Sequence, residues 1–243
     1  MNYHKAMIST FSREFTFAEV RWLAEAFGLA NLPFTLPVAS LSEIEAAHKS
    51  LLVRGVIKPG KPSGWQVDPI AALSIQWIAG SQQFWVFTQF LPDGQTLETS
   101  LFLQDGAVLL VLPLANGEQF VTCENIKTAL VAWKEAVNLP LTNETGNLPE
   151  WNVPQPVTVI RSNWKNPSLA KTMAPLDFLV WASALDWAGE WALMVGGKRL
   201  ARFDLGVCGD LVWAGHYIPG RPGEFLLRNY SQAELCEILA EGK

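Results

Sequence analysis

Charged residues are scarce in this chain of 243 residues. They make up 17% of it, against roughly 25% in an average soluble domain, while 49% of the residues are apolar. Disorder requires low hydrophobicity and high net charge, so this composition excludes a disordered chain and predicts a large core. A basic surplus is also missing, because 18 lysines and arginines stand against 23 acidic residues, a formal net charge of −5. That balance disfavours a nucleic-acid partner, which usually requires a basic footprint.

Cysteine, histidine and catalytic motifs are equally sparse. The three cysteines stand far apart, which predicts neither a disulfide framework nor a zinc site. The three histidines show no metal-binding spacing, and His48, next to Lys49, is expected on a solvated helix face. A phosphate-loop pattern at residues 55–61 is followed by Pro62 where serine or threonine must hold magnesium, and no GxSxG motif occurs. The sequence therefore predicts no catalytic site, no metal site and no bound cofactor.

A long hydrophobic run free of charge is missing as well. Residues 178–197 are numerous enough to cross a bilayer, but they contain Asp186 and Glu190. A charge at the centre of a membrane costs roughly 2.5–3.5 kcal/mol, so we expect a buried helix followed by a buried strand instead. The first 15 residues lack the apolar core of a secretory signal. We therefore expect a cytoplasmic protein that does not insert into membranes.

Helical patterns dominate the first 58 residues. Thr16 is a plausible N-cap for a helix that ends near residue 28. Ser42 and Glu45 have the spacing of a capping box and predict a second helix, which ends at residue 55. After a predicted loop at residues 58–64, Asp68 and Pro69 predict the start of a third helix, over residues 70–79.

The hydrophobic period then changes to two. Residues 84–91, 95–103 and 107–114 are separated by Asp-Gly pairs at 93–94 and 105–106, which are strong hairpin signals. This pattern predicts a three-stranded antiparallel meander, and a helix is predicted after it at residues 124–137.

The same order of elements is predicted again in the second half of the chain. A helix begins at Pro175, strands follow at residues 190–195, 198–205 and 211–217, and Ser231 with Glu234 starts a last helix. Several identical residues in the two halves are offset by 106 positions, which favours an internal duplication. We therefore predict an α+β fold with two quasi-symmetric helix–βββ–helix halves that share a central antiparallel sheet flanked by helices. Residues 1–243 form a single domain, with halves at 1–137 and 157–243 and a linker loop at 138–156.

Eleven tryptophans are the most unusual feature of the composition. Most are expected in the core, with Trp187 among those predicted on helices. The strand segments 84–90 and 211–217 carry bulky residues on both faces, so either helices cover both sides or one face is an apolar surface that binds a partner. The candidate partner-binding residues are Trp85, Phe87, Trp191, Trp213, His216 and Tyr217.

Three stretches of the chain resemble a known family. The first is residues 15–34, which begin Phe-Thr-Phe-Ala-Glu and end Leu-Pro-Phe. The others are residues 51–56, with the later Val-Asp-Pro at 67–69, and the repeated meander–helix unit. In these the chain resembles the EspG family of chaperones associated with type VII (ESX) secretion. The resemblance implies two quasi-symmetric halves around one antiparallel sheet. It also implies a cytosolic, non-enzymatic chaperone that holds the hydrophobic helical tip of a PE–PPE-type secretion substrate and keeps it soluble.

Three interpretations of function follow. The first is a protein-binding chaperone or adaptor with an amphipathic helical client; assembly with further copies of the chain stays open. The alternative is a small-molecule-binding or enzymatic α+β domain with an aromatic pocket around Trp213, His216 and Tyr217. The third, a winged-helix DNA reader at residues 17–61, is disfavoured by the acidic balance of the chain.

Overall fold

The structure, a computed structural model, describes residues 11–29, 32, 36–60, 64–91, 93–139, 151–153, 185–208, 211–217 and 225–241. Within them, the helices are α1 Phe17–Ala26, α2 Leu41–Val53, α3 Pro69–Gly80, α4 Ile126–Ala136 and α5 Gln232–Glu241. The strands are β1 Phe11–Thr16, β2 Ile57–Pro59, β3 Trp65–Val67, β4 Gln83–Phe90, β5 Thr96–Gln104, β6 Ala107–Leu114, β7 Gly117–Cys123, β8 Trp151–Val153, β9 Trp187–Val195, β10 Lys198–Cys208, β11 Leu211–Tyr217 and β12 Phe225–Asn229.

Ten of the strands form one large sheet, in the order β1-β7-β6-β5-β4-β9-β10-β11-β12-β8, and β2 and β3 form a separate hairpin. Antiparallel pairing joins β1 to β7 and β7 to β6. It also joins the neighbouring strands in the run β9-β10-β11-β12-β8. The predicted α+β class with a large antiparallel sheet and helices is therefore confirmed. The predicted quasi-symmetry of the halves stays a prediction, since the helix expected from Pro175 lies outside the described residues.

The chain divides into two compact units. The first contains Met1–Gln83 and Leu101–Asn125, and the second contains Phe84–Ser100 and Ile126–Lys243. One of the boundaries, between Ser100 and Leu101, falls within β5. The halves predicted at 1–137 and 157–243 stay a prediction. The predicted linker loop at 138–156 contains the short strand β8.

Three helix starts follow the predicted local chemistry. Thr16 caps α1 and forms a capping box with Glu19, and Ser231 with Glu234 does the same before α5. Asp68 caps α3, where its Oδ1 accepts from the backbone N–H groups of Ile70 and Ala71 at 3.1 Å. These side chains satisfy N–H groups that a helix leaves without internal acceptors.

The predicted start of α2 at Ser42 is wrong by two residues. Ser40 is the N-cap, with its backbone N–H 2.6 Å from Oε2 of Glu43 and its hydroxyl accepting from the Glu43 N–H. The sequence offers two overlapping Ser-x-x-Glu frames, and the earlier one lengthens the helix. Ser42, with Glu45 three residues later, lies inside the first turn of α2.

Besides β8, four strands of the described residues were not predicted: β1, β2, β3 and β7. β1 lies within the first 58 residues, which the sequence predicted as mostly helical, and it precedes the helix predicted from Thr16. β2 and β3 form a hairpin on either side of the predicted loop. β7 is a fourth strand of the first meander, so that meander has four strands rather than three. β7 pairs with β6 on one side and with β1 on the other, which places it inside the sheet despite its mixed polar composition.

Glu19 of α1 and Arg54, which follows α2, bond to the last residues of β1, the edge strand of the sheet in the first unit. The Thr16 N–H donates to Oε2 of Glu19 at 2.8 Å, and Arg54 donates to the carbonyl of Glu14 at 2.5 Å. Arg54 also donates to both carboxylate oxygens of Glu19 at 2.9 Å. Unpaired edge strands invite pairing with other chains, so these bonds protect the edge.

Glu118 of β7 gives the first unit a pH-dependent stability. Its partner in β1 is Phe15, and Oε2 of Glu118 is buried with no hydrogen-bond partner among the described residues. Burial raises the pKa of Glu118 to about 7. The folded protein therefore holds a proton that the unfolded chain releases near pH 4.5, so this group makes stability fall as pH rises from about 4.5 to 7.

Replacing Glu118 by glutamine should remove this loss of stability at high pH. At pH 8 we expect Glu118→Gln to unfold with a free energy about 3 kcal/mol higher than that of the parent chain, and at pH 4.5 the two should nearly agree. Urea unfolding at both pH values measures the difference. If the free energies of unfolding of the two proteins differed by the same amount at both pH values, Glu118 would be ionised at pH 8 in the folded state as it is in the unfolded chain.

Candidate partner-binding surface

Four large aromatic side chains form a buried cluster in the second unit. Phe87 of β4, Trp133 of α4 and Trp191 of β9 pack in a triangle, with ring centroids 4.9–5.1 Å apart. Trp85 meets Trp191 edge to face at 6.2 Å, and its Nε1 donates to the Leu239 carbonyl at 2.9 Å. None of the four rings is more than 1% exposed. The candidates Trp85, Phe87 and Trp191 are thus core residues in this structure.

Both faces of strands β9 to β11 are buried over residues 188–193, 203–207 and 212–215. The register places Trp191 and Phe203 on one face of these strands, and Glu190 and Asp204 on the other. All four side chains are buried, as is Trp213, which lies on the Asp204 face. In these residues both faces of the strands are covered.

His216 and Tyr217 lie at the end of β11, paired with Leu226 and Phe225. Their side chains are outside the described part of the chain. Partner binding by the six predicted residues stays a prediction. The four described ones, Trp85, Phe87, Trp191 and Trp213, are buried.

At Gly189 the backbone of β9 lies against the Phe87 ring of this cluster. A Cβ atom built on Gly189 would lie 2.5 Å from the Phe87 ring and 3.0 Å from the Thr88 carbonyl oxygen. We expect Gly189→Ala to lower the free energy of unfolding by about 1–3 kcal/mol, as overpacked cores usually do. Gly80→Ala, at a helix end with open space around it, is the matched control and should change stability by less than about 1 kcal/mol. Thermal unfolding compares them, and equal effects would contradict the close packing.

Two local predictions are wrong. Trp187 begins β9 rather than ending a helix, because the strand extends three residues further than its apolar run suggested. His48 is half-buried rather than solvated: its ring stacks on Trp22 at 5.1 Å and meets Trp65 edge-on at 4.6 Å. A helix, α1, packs against α2 and covers the His48 face.

The first unit contains an open groove beside α2. Its helical wall is formed by Glu43, Ala46, Ala47 and Ser50, which recur at helical spacing and so share one face. The start of α1, residues 37–39 and Asn116 complete a recess of about 470 Å³. An adjoining recess of about 380 Å³ shares Thr16, Glu19 and Asn116 with the first and extends to Arg54. We call the two recesses together the α2 groove.

Apolar and acidic side chains border the α2 groove. Val38, which lines it, is 94% exposed, and Val53 is 89% exposed and lies two turns from Ala46 on the same helix face. Its ionisable lining consists of the carboxylates Glu14, Glu19 and Glu43 and the guanidinium of Arg54, a formal charge of −2. Arg54 is bound to Glu19, so Glu14 and Glu43 carry the uncompensated charge. Hydrogen bonds from Ser40 keep the pKa of Glu43 below its usual value.

The first unit also has the element order that the winged-helix interpretation requires, since α1 and α2 are followed by the β2–β3 hairpin. In such a fold α2 would enter the major groove, between two rows of phosphates. It carries Glu43 and Glu45 against Lys49. This charge balance disfavours contact with DNA.

Among the residues that the structure describes, no group of three histidine, cysteine or acidic side chains is placed to hold a metal ion. No helix in the described ranges combines the length and apolar character needed to cross a membrane.

Comparison with known proteins identifies the fold. No protein-family model matches the chain, and no curated protein matches its sequence. The structure is similar to a solved one, that of the Mycobacterium tuberculosis type VII secretion system chaperone EspG5 in complex with the PE25–PPE41 dimer. The match has a TM-score of 0.62 and covers 96% of this chain and 95% of that chain, with 7% sequence identity. The predicted resemblance is confirmed at the level of structure: the chain has an EspG-like fold.

Proposed function

We propose that this chain is a cytosolic protein-binding chaperone or adaptor, not an enzyme, that holds an amphipathic helical segment of a client protein. The observation that carries the proposal is the likeness in fold to EspG5 over 96% of the chain. That chaperone is described in complex with a protein dimer. A role in type VII secretion belongs to the same proposal.

The surface chemistry supports a protein client. Val38 and Val53 are almost fully exposed beside an open groove, where a partner's apolar side chains can replace water. Helix-in-groove recognition uses such surfaces, with apolar anchors at helical spacing on the bound segment.

Affinity capture from the native organism tests the proposal. The chain is tagged at its own locus, cross-linked in living cells and purified, with an equally tagged unrelated protein as control. We expect one helical protein to be enriched in near-equal amount, and we expect that protein to become insoluble when the chain is deleted. A tightly bound metabolite in native mass spectra, with no enriched protein and no loss of solubility, would support the small-molecule alternative instead.

A further inference from the structure

We infer that the α2 groove is a docking site for a basic amphipathic helix of a partner protein. The inference rests on the proposed function, which gives a helical segment of a protein as the partner. It adds the surface to which that segment binds and the sign of the charge that the segment carries. No feature of the sequence predicted this surface, because its walls come from α1, α2 and the β6–β7 turn.

The shape of the groove fits a helix. Its wall along α2 runs from Glu43 to Arg54, about 17 Å at 1.5 Å per residue, which matches three turns of a second helix. The wall is built from small residues, Ala46, Ala47 and Ser50, and small side chains let two helices pack at the short end of the usual 8–10 Å spacing. Exposed Val38 and Val53 offer apolar contacts at the rim.

The charge of the groove favours positively charged residues on the polar face of the bound helix. Glu14 and Glu43 are exposed carboxylates without a cation among the residues that line the two recesses, since Arg54 is held by Glu19. Lysine or arginine beside the apolar stripe of the bound helix would meet these carboxylates, whereas acidic residues would be repelled. A basic amphipathic helix is therefore the occupant that both the shape and the charge favour.

A pair of synthetic peptides tests the inference. One is an 18-residue amphipathic helix of leucine and lysine, and the other has glutamate in place of every lysine. Fluorescence anisotropy of the labelled peptides measures their affinity for the full chain. We expect the lysine peptide to bind in the micromolar range and the glutamate peptide at least tenfold more weakly.

Substitutions then locate the site. Ala46→Arg places a bulky cation in the groove and Val53→Arg places one at its rim, both at exposed helix positions. Each should weaken binding of the lysine peptide at least tenfold. Gln76→Arg adds the same side chain to the exposed surface of α3 and should change the affinity less than twofold. Circular dichroism verifies folding. Equal effects of all three substitutions, or equal binding of both peptides, would overturn the inference.

The native client separates this inference from the proposed function. If the client captured from cells is lost with Ala46→Arg but kept with Gln76→Arg, both stand. If Ala46→Arg keeps the client fully, the chaperone function stands and the α2 groove is not its docking site.

Discussion

Replacing Trp191 by alanine should lower the free energy of unfolding by about 3–5 kcal/mol, the usual cost of removing a buried tryptophan. Trp191 is 1% exposed and contacts Phe87, Trp133 and Trp85, so its removal leaves a cavity among three rings. These rings belong to a strand and a helix besides β9, and they cannot all move to fill the space. Urea unfolding followed by far-UV circular dichroism measures the change.

Trp65→Ala is the matched control for that experiment. Trp65 is 42% exposed and sits on the β2–β3 hairpin of the first unit. Since much of its ring already contacts water, we expect a loss of about 1 kcal/mol or less. A Trp191→Ala variant as stable as Trp65→Ala would contradict the packing of the aromatic cluster.

Replacing Arg54 by methionine should cost about 2–4 kcal/mol, because it leaves a carboxylate buried without its cation. Glu19 is 1% exposed, and Arg54 donates to both of its oxygens. Arg54 itself is about one-third exposed, so we expect less than the largest cost of a fully buried pair. Urea unfolding followed by far-UV circular dichroism measures the loss.

A second substitution separates charge from shape. Glu19→Gln removes the charge but keeps an oxygen that accepts from the Thr16 N–H, as a capping box requires. The double variant Glu19→Gln with Arg54→Met should therefore regain at least half of the stability that Arg54→Met loses. A double variant no more stable than Arg54→Met would show that the loss comes from the bond to the Glu14 carbonyl and from packing.

Local chemistry made much of the fold predictable. The capping residues Thr16, Asp68 and Ser231 act on N–H groups within three residues, and the Asp-Gly pairs fix hairpins between adjacent strands. These features depend on short stretches of chain. The same reasoning misplaced the start of α2, where two capping frames overlap and only the geometry of Ser40 decides between them.

Long-range pairing was not predictable. β1 is a strand because Phe11 pairs with Thr122, 111 residues later in the chain, and no local period reveals such a partner. The burial of the aromatic candidate residues could not be predicted for the same reason. The sequence showed bulky residues on both faces of the strands, but whether each face is covered depends on elements far along the chain, as Trp133 of α4 shows for Trp191.

The most direct test of a client-binding chaperone is the mass of the particle that it forms. Light scattering coupled to size-exclusion chromatography gives that mass for the chain purified from its own cells. We predict a complex heavier than the 26.9 kDa chain by the mass of a second, helical protein present in equal amount. A particle of 26.9 kDa, or a whole multiple of it with no second protein, would contradict the account.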